Sequence, residues 1–301
     1  VDKMVAPIAI GKDAEDISAL MTDLQRRLHL FGRYGITMFA LSGLDIALWD
    51  AAGKSAGLPL CRLMGGRLRN DIPGYSSLFN YSDPDIVAEK TKQSIDEGYC
   101  YVKLHETGVP EVEAARNVAG IDFPIMVDTN CPWTPEKAKR MALAFKELDV
   151  YWLEEPIFPP EDFVALARLR AETGVAVAIG ENACTAFQFK QMIDAGAADY
   201  LQPSVTKVGG ITEARKVAVL AETHGVSMMP HAPYFGPGFL ATLHLMASVP
   251  NSGLAEWFYL EREACIYGGA IAPKNGMFKL PDGPGLGIEP DADVLKDYAA
   301  D

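Results

Sequence analysis

The chain has 301 residues, 49% of them hydrophobic, and a formal net charge of −13. That length supports one large core, or a barrel with a smaller partner. The acidic balance excludes nucleic acid, whose phosphates it would repel, and speaks against an anionic membrane surface; no run of about 18 apolar residues offers a membrane span. The five cysteines, Cys61, Cys100, Cys131, Cys184 and Cys265, are odd in number, widely spaced and form no CxxC pair. They read as reduced thiols of a cytoplasmic protein, and no signal peptide is visible.

In chain order, the first seventy residues read as helical. "DAEDISALMTDLQRRLHLFG" and "MFALSGLDIALWDAAGKSAG" carry apolar residues at helical spacing and end at glycine, and "LPLCRLMGG" follows. After Gly66 the pattern changes to short apolar runs: "DIPGYSS", "YCYVKLHE", "PIMVDTN", "YWLEEP", "VAVAIGE", "ADYLQPS", "VSMMPH" and "GLAEWFY". Helices between them include "DPDIVAEKTKQSIDEG", "TPEKAKRMALAFKELD", "PEDFVALARLRAETG", "TAFQFKQMIDAGA" and "GITEARKVAVLAETHG". Strands alternating with helices predict a parallel sheet, and near-continuous apolar strands predict one covered on both faces. Eight such units suggest a closed barrel. The tail from Gly268 is rich in Gly and Pro and reads as loops and short strands packing back on the first domain.

Polar residues recur at one place in these units. Asp128 ends "IMVD", Glu154 "YWLE", Glu181 "VAIGE", Ser204 "YLQPS" and His231 "SMMPH", and Glu256 sits in "GLAEW", at intervals of 23 to 27 residues. Each interval is one strand–helix unit, so all six return to the C-terminal mouth of the barrel, where active sites of such barrels are built. Adjacent strand residues point to opposite sides. One of Glu154 and Glu155 therefore faces the mouth, and the other leans toward the helix layer or a loop. Asp128, one of that pair and Glu181 then converge. Three close carboxylates cannot all stay ionised without a cation. An all-oxygen ligand set suits Mg²⁺, with Mn²⁺ or Ca²⁺ as substitutes.

Two basic groups face the acids. Lys103 and His105 are two apart in "YVKLHE", on one face of a strand. A lysine inside a barrel loses hydration, so it needs a function or a carboxylate partner. His105 reads equally as an acid/base, a substrate hydrogen-bond donor or a packed imidazole. His231, opposite Lys103, is expected to take part in chemistry. His224, before Gly225 at a helix end, suits the helix dipole; His29 and His244 read as structural residues of amphipathic helices. A metal between a lysine and a histidine implies removal of the proton alpha to a carboxylate, with the enediolate charge stabilised by the metal.

The runs "SGLDIALWDAAGKSAGLPLCRLMGG", "VDTN", "WLEEP", "GEN", "KVGG" and the seventh-strand "PH" resemble, over nearly the whole chain, the mandelate racemase subgroup of the enolase superfamily. The resemblance implies an α/β fold, a modified TIM barrel (β/α)7β with a capping α+β domain whose N-terminal part is missing from this chain. Residues 1–68 would be the helical remainder of the cap, 69–267 the barrel, and 268–301 a segment returning to the cap. Val1 would begin inside the cap, with the family's N-terminal strands and two substrate-covering loops outside the chain. The resemblance makes Asp128, Glu154 and Glu181 the metal ligands, and so selects Glu154 over Glu155. Two positions depart from the family pattern. The common Lys-x-Lys is Lys103-x-His105 here. The racemase pairs its seventh-strand His with an Asp at the end of strand six, and lactonising relatives place a Lys there; this chain has Ser204. A serine orients an imidazole but supplies no charge, so His231 is expected to be a weaker base and mainly a general acid.

Racemisation needs two competent bases, whereas dehydration needs one base and one acid. Lys103 as base and His231 as acid meet the second need. Glu256, if protonated, would hydrogen-bond the enediolate oxygen, or otherwise a substrate hydroxyl. Asn130, Asn182 and Ser204 would contact substrate. An Mg²⁺-dependent lyase that dehydrates a sugar acid is therefore the leading expectation. Racemisation, epimerisation or cycloisomerisation of a hydroxy acid or lactone comes next, and then a non-catalytic, metal-binding barrel. The expected partners are a small carboxylate substrate and further copies of the chain in a homo-oligomer.

Overall fold

The computed structural model describes residues 1–299. The chain opens with four helices, α1 (Ala6–Ala9), α2 (Ile17–Arg27), α3 (Ile36–Ala56) and α4 (Leu60–Leu63). In α2 the buried Ile17, Leu20, Met21 and Leu24 recur at helical spacing and pack against Met38 and Leu41 of α3. Gly57, at φ 65°, ends α3 in the left-handed conformation that glycine adopts freely. The 21 residues of α3 are long and apolar enough to cross a membrane. Here the helix is a packing element, because its buried stripe also carries Ser42 and Asp45, which hold the barrel (below).

The barrel follows as β1 (Asp71–Ser77), α5 (Pro84–Asp96), β2 (Val102–Leu104), α6 (Val109–Ala119), β3 (Ile125–Asp128), α7 (Pro135–Lys146), β4 (Val150–Glu154), α8 (Phe163–Thr173), β5 (Val177–Ile179), α9 (Thr185–Ala195), β6 (Tyr200–Leu201), α10 (Gly210–Thr223), β7 (Ser227–Met228), α11 (Pro237–Ser248) and β8 (Ala255–Phe258). All eight strands are parallel, in the order β7-β6-β5-β4-β3-β2-β1-β8. A bridge from Met228 to Ser252, with the Gly253 amide donating to the Met228 carbonyl at 2.9 Å, brings the lead into β8 against β7 and closes the ring. This is the (β/α)7β architecture. Asp83, Thr134 and Asp162 cap α5, α7 and α8 through their side chains.

Two barrel helices go beyond the sequence reading, as does a helix at Ala292–Asp297 in the tail expected to hold only loops and short strands. α11 is buried on every side from Gly238 to Ala247, so it has no polar face to give a period. α6 carries a proline in its first turn and buries only Val112, Ala115 and Arg116, too sparse a stripe to stand out. His29 lies in an exposed 3₁₀ turn rather than an amphipathic helix. His244 is buried in α11, where its ring bridges the Cys61 amide and the Leu286 carbonyl. Among the described residues ahead of the barrel there are helices and no strand.

After β8 the tail forms β9 (Met277–Lys279), antiparallel to the start of β1, and α12 (Ala292–Asp297). It also ties back to the first helices. The Leu60 amide donates to the Gly285 carbonyl and the Leu286 amide to Asp50. The main core lies between strands and outer helices. A second fills the barrel, where Tyr75, Met126, Trp152, Ala178, Met229 and Leu254 form a buried floor beneath the strand ends.

One junction explains a motif. In "KVGG", Gly209 and Gly210 have φ of 115° and 78°, and a Cβ on Gly210 would collide with the Asp45 carboxyl. The close approach lets Ser42 accept from both glycine amides and Asp45 from the Thr212 amide, so α3 caps the N-terminus of α10. The glycines therefore dock the helical cap onto the barrel.

Candidate active site

Strand alternation places the site. In β4, Trp152 faces the barrel interior, Leu153 the helix layer, and Glu154 the interior again. Asp128, at the end of β3, pairs in register with Glu154. β5 leaves the ladder at Ile179, so Glu181 lies two residues past its last paired position and bends over the mouth. One carboxylate oxygen from each of Asp128, Glu154 and Glu181 lies within 4.8 Å of the others. Asp128 and Glu154 are buried and Glu181 partly so. Three carboxylates so arranged offer a hard, all-oxygen ligand set, which fits a small divalent cation.

Glu155 turns the other way, and its φ of 44° is what swings it out of the strand. Its buried carboxylate accepts from the Cys131 thiol at 2.8 Å, Asn182 Nδ2 at 2.8 Å and the Gly180 amide at 3.3 Å. Burial, then the charge on Glu181, raises the Glu155 carboxyl. Asn130 and Cys131 are also left-handed, at φ of 51° and 57°. Non-glycine residues held there cost energy and gather where the backbone must aim side chains. These three lock the loops behind the acids.

Lys103 is fully buried. Its Nζ lies 3.0 Å from Asp128, 2.8 Å from Glu154 and 2.9 Å from Glu256, over the Tyr75 ring. Burial works against the ammonium, yet Glu154 and Glu256 hold its pKa well above the usual lysine value. Burial likewise opposes charge on the acids. Lys103 and His105 pull Asp128 below the carboxylate range despite it. Glu154 is raised far above the carboxylate range by burial and by the Asp128 charge.

His105 lies one residue past β2. Its Nε2 is 3.2 Å from Asp128 and its Nδ1 meets the Leu78 carbonyl, so it stands on the Lys103 side of the cluster. His231, three residues past β7, stands on the other side, with Nε2 3.0 Å from Glu181 Oε2. Burial would raise Glu181, but His231 holds it low.

Three sequence expectations, for Glu256, Ser204 and Asn182, change in detail. Burial would also raise Glu256, but Lys103 and His231 hold it down to about 2. It accepts from Ser77 Oγ and the Ala232 amide, both at 2.9 Å, so it is an ionised acceptor rather than a protonated donor. Ser204 does not meet His231 directly; its Oγ bonds the Tyr234 hydroxyl at 2.8 Å, and that hydroxyl faces His231 Nδ1. The Asn182 amide is committed to Glu155. Asn130 is exposed beside Asp128, to whose Oδ1 its backbone amide donates at 3.0 Å.

The sequence reading missed Ser77, Lys207 and Tyr234. Ser77 ends β1, in phase with the other strand ends, and that phase was its signal. Lys207 opens "KVGG" and brings Nζ to 3.9 Å from Glu181. Tyr234 had no sequence signal, since only the loop after His231 folds it back over the imidazole.

Comparison with known proteins agrees with this geometry. A family model described as enolase C-terminal domain-like matches residues 86–294, and one described as the mandelate racemase / muconate lactonizing enzyme N-terminal domain matches residues 1–65. The chain is 34% identical to a 3,6-anhydro-alpha-L-galactonate cycloisomerase of Streptomyces coelicolor, over 98% of this chain and 81% of that protein. It is 31% identical to an arabinonate dehydratase of Saccharolobus solfataricus, over 99% of this chain and 82% of that one. Among solved structures it is similar to a racemase from Streptomyces coelicolor with bound magnesium, at a TM-score of 0.88 and 32% identity, covering 100% of this chain and 83% of that chain. By fold, by acid cluster and by both family models, the chain belongs to the mandelate racemase / muconate lactonizing enzyme family of the enolase superfamily.

Proposed function

We propose that this protein is an Mg²⁺-dependent dehydratase of a sugar acid. The observation that carries this reading is the placement of two proton carriers. Lys103 stands 2.8–3.0 Å from Asp128 and Glu154, while His231 stands 3.0 Å from Glu181, on the far side of the acid cluster.

Asp128, Glu154 and Glu181 would hold the metal. The ion would supply a Lewis acid for the substrate carboxylate, making the adjacent C–H more acidic. Glu154 and Glu256 support the Lys103 ammonium; with Asp128, Glu154 and Glu181 engaged by a metal, that support would weaken and leave Lys103 fit to act as the base. Its amine then takes the alpha proton. Glu256 keeps the lysine tethered through Nζ at 2.9 Å while Ser77 and the Ala232 amide fix the carboxylate. His231 gives its Nε2 proton to the beta hydroxyl, which leaves as water while the alpha C–H pair becomes the new double bond. Tyr75 and Trp152 close the floor beneath the buried Lys103, and the Trp152 indole donates to Glu154 at 2.9 Å. The dehydratase named among the relatives supports this reading.

Cycloisomerisation is the second reading. The cycloisomerase at 34% identity favours it, and it needs the same base and the same acid. Mass spectrometry separates the two. The protein is incubated with magnesium and a panel of sugar acids and their lactones in D₂O. Loss of water from one substrate is the expected result. An isomer formed without mass loss means a cycloisomerase; deuterium uptake with inversion means a racemase or epimerase. No change in any compound would leave only a metal-binding barrel.

A further inference from the structure

We infer that Tyr234 is the positioning residue of His231, carrying the Nδ1 side of the ring through a hydroxyl that Ser204 anchors. The inference rests on the reading of His231 as the acid, and adds what aims it. The Tyr234 ring meets the imidazole edge-on, with centroids 5.8 Å apart and planes at 82°. Its hydroxyl is 3.5 Å from Nδ1, at the long limit of hydrogen bonding, and 2.8 Å from Ser204 Oγ. Ser204 is buried, and its Oγ lies 3.1 Å from Thr206 Oγ1. On the opposite edge Nε2 meets Glu181 at 3.0 Å. The imidazole is thus held at both nitrogens, with a carboxylate in front and a phenol behind.

The choice of phenol has a chemical consequence. A carboxylate behind the ring would serve only an Nδ1 that carries hydrogen, because an ionised carboxylate accepts and does not donate. A hydroxyl does both. By rotating its O–H, Tyr234 accepts from Nδ1–H or donates to bare Nδ1, and Ser204 and Thr206 reorient with it. The Thr206–Ser204–Tyr234 chain therefore holds the ring plane in either proton state and adds no charge. Ser204 alone does not make this contact. Its effect passes through the phenol, so the strand-six position acts on His231 at one remove.

The test uses Tyr234→Phe, Ser204→Ala and the double variant. In the magnesium-loaded enzyme with the sugar acid it turns over, Tyr234→Phe is expected to lower kcat about 10–100-fold, the range of outer-shell orienting groups, with little change in KM. Ser204→Ala should lose less. The double variant should match Tyr234→Phe alone, because residues acting in series do not add. A second readout needs no substrate or metal. Ring-nitrogen NMR signals of His231, assigned by their loss in His231→Asn, should shift at Nδ1 in Tyr234→Phe, while those of His29, His224 and His244 stay put. An unmoved Nδ1 signal, or losses that multiply in the double variant, would overturn the inference. A wild-type protein that turns over no sugar acid would sink the dehydratase reading instead, and the NMR arm would still decide this one.

Discussion

Replacing Lys103 by methionine keeps most of its volume and removes its charge. The ammonium lies 2.8–3.0 Å from Asp128, Glu154 and Glu256, and all four groups are at most 1% exposed. Removing one partner of a buried ion pair costs about 3–5 kcal/mol, because the other is left uncompensated. In chelator, Lys103→Met should therefore lose about that much stability against urea. A divalent cation replaces the missing charge, so magnesium should restore most of the loss. At about 100 times its dissociation constant, a ligand adds about 2.7 kcal/mol to the folded state. The variant should also gain more from magnesium than wild type, whose lysine competes for the same oxygens. Turnover should be abolished in both conditions. Urea midpoints with and without magnesium give the stability, and product formation gives the activity. A variant within about 1 kcal/mol of wild type in chelator would refute the ion-pair reasoning, since it falls below the 3–5 kcal/mol floor. Retained turnover would remove Lys103 as the base.

Other outcomes follow from the same geometry. Glu154→Gln should weaken magnesium binding by more than the about 10–100-fold expected of an outer-shell residue, whereas Glu155→Gln should fall within that range; calorimetric titration compares them. His231→Asn should stop water loss while alpha-proton exchange in D₂O continues; if His105→Gln does this instead, the acid stands on the Lys103 side. Asp45→Asn tests the cap junction. Burial raises Asp45 from the usual 3.8 to about 6. At about 1.4 kcal/mol per tenfold change in proton affinity, that is about 3 kcal/mol as a ceiling. A raised carboxyl costs nothing while protonated, so the cost grows as pH rises from about 4 and is complete above about 6. The Asn variant should gain on wild type across that window; a pH-independent difference would reject the assignment.

Much of the architecture was legible along the chain, because periodicity is a one-dimensional property. The apolar runs, the return of Asp128, Glu154, Glu181 and His231 to one phase of the strand–helix repeat, and the chemistry of three carboxylates beside Lys103 all follow from spacing and residue type. Helices without a polar face, such as α11, escaped for the same reason: burial on all sides erases the period. Phase, however, sets a direction and not a distance. The tertiary structure decided that Glu155 turns outward to Cys131 and Asn182, and that Glu256 belongs to Lys103 as an ionised acceptor. It also decided that Ser204 reaches His231 only through Tyr234, and that the two glycines of "KVGG" are there for Asp45 and Ser42. Each of these depends on where a loop brings residues from separate units. Barrel closure and loop conformation set that meeting, and the spacing of residues along the chain does not.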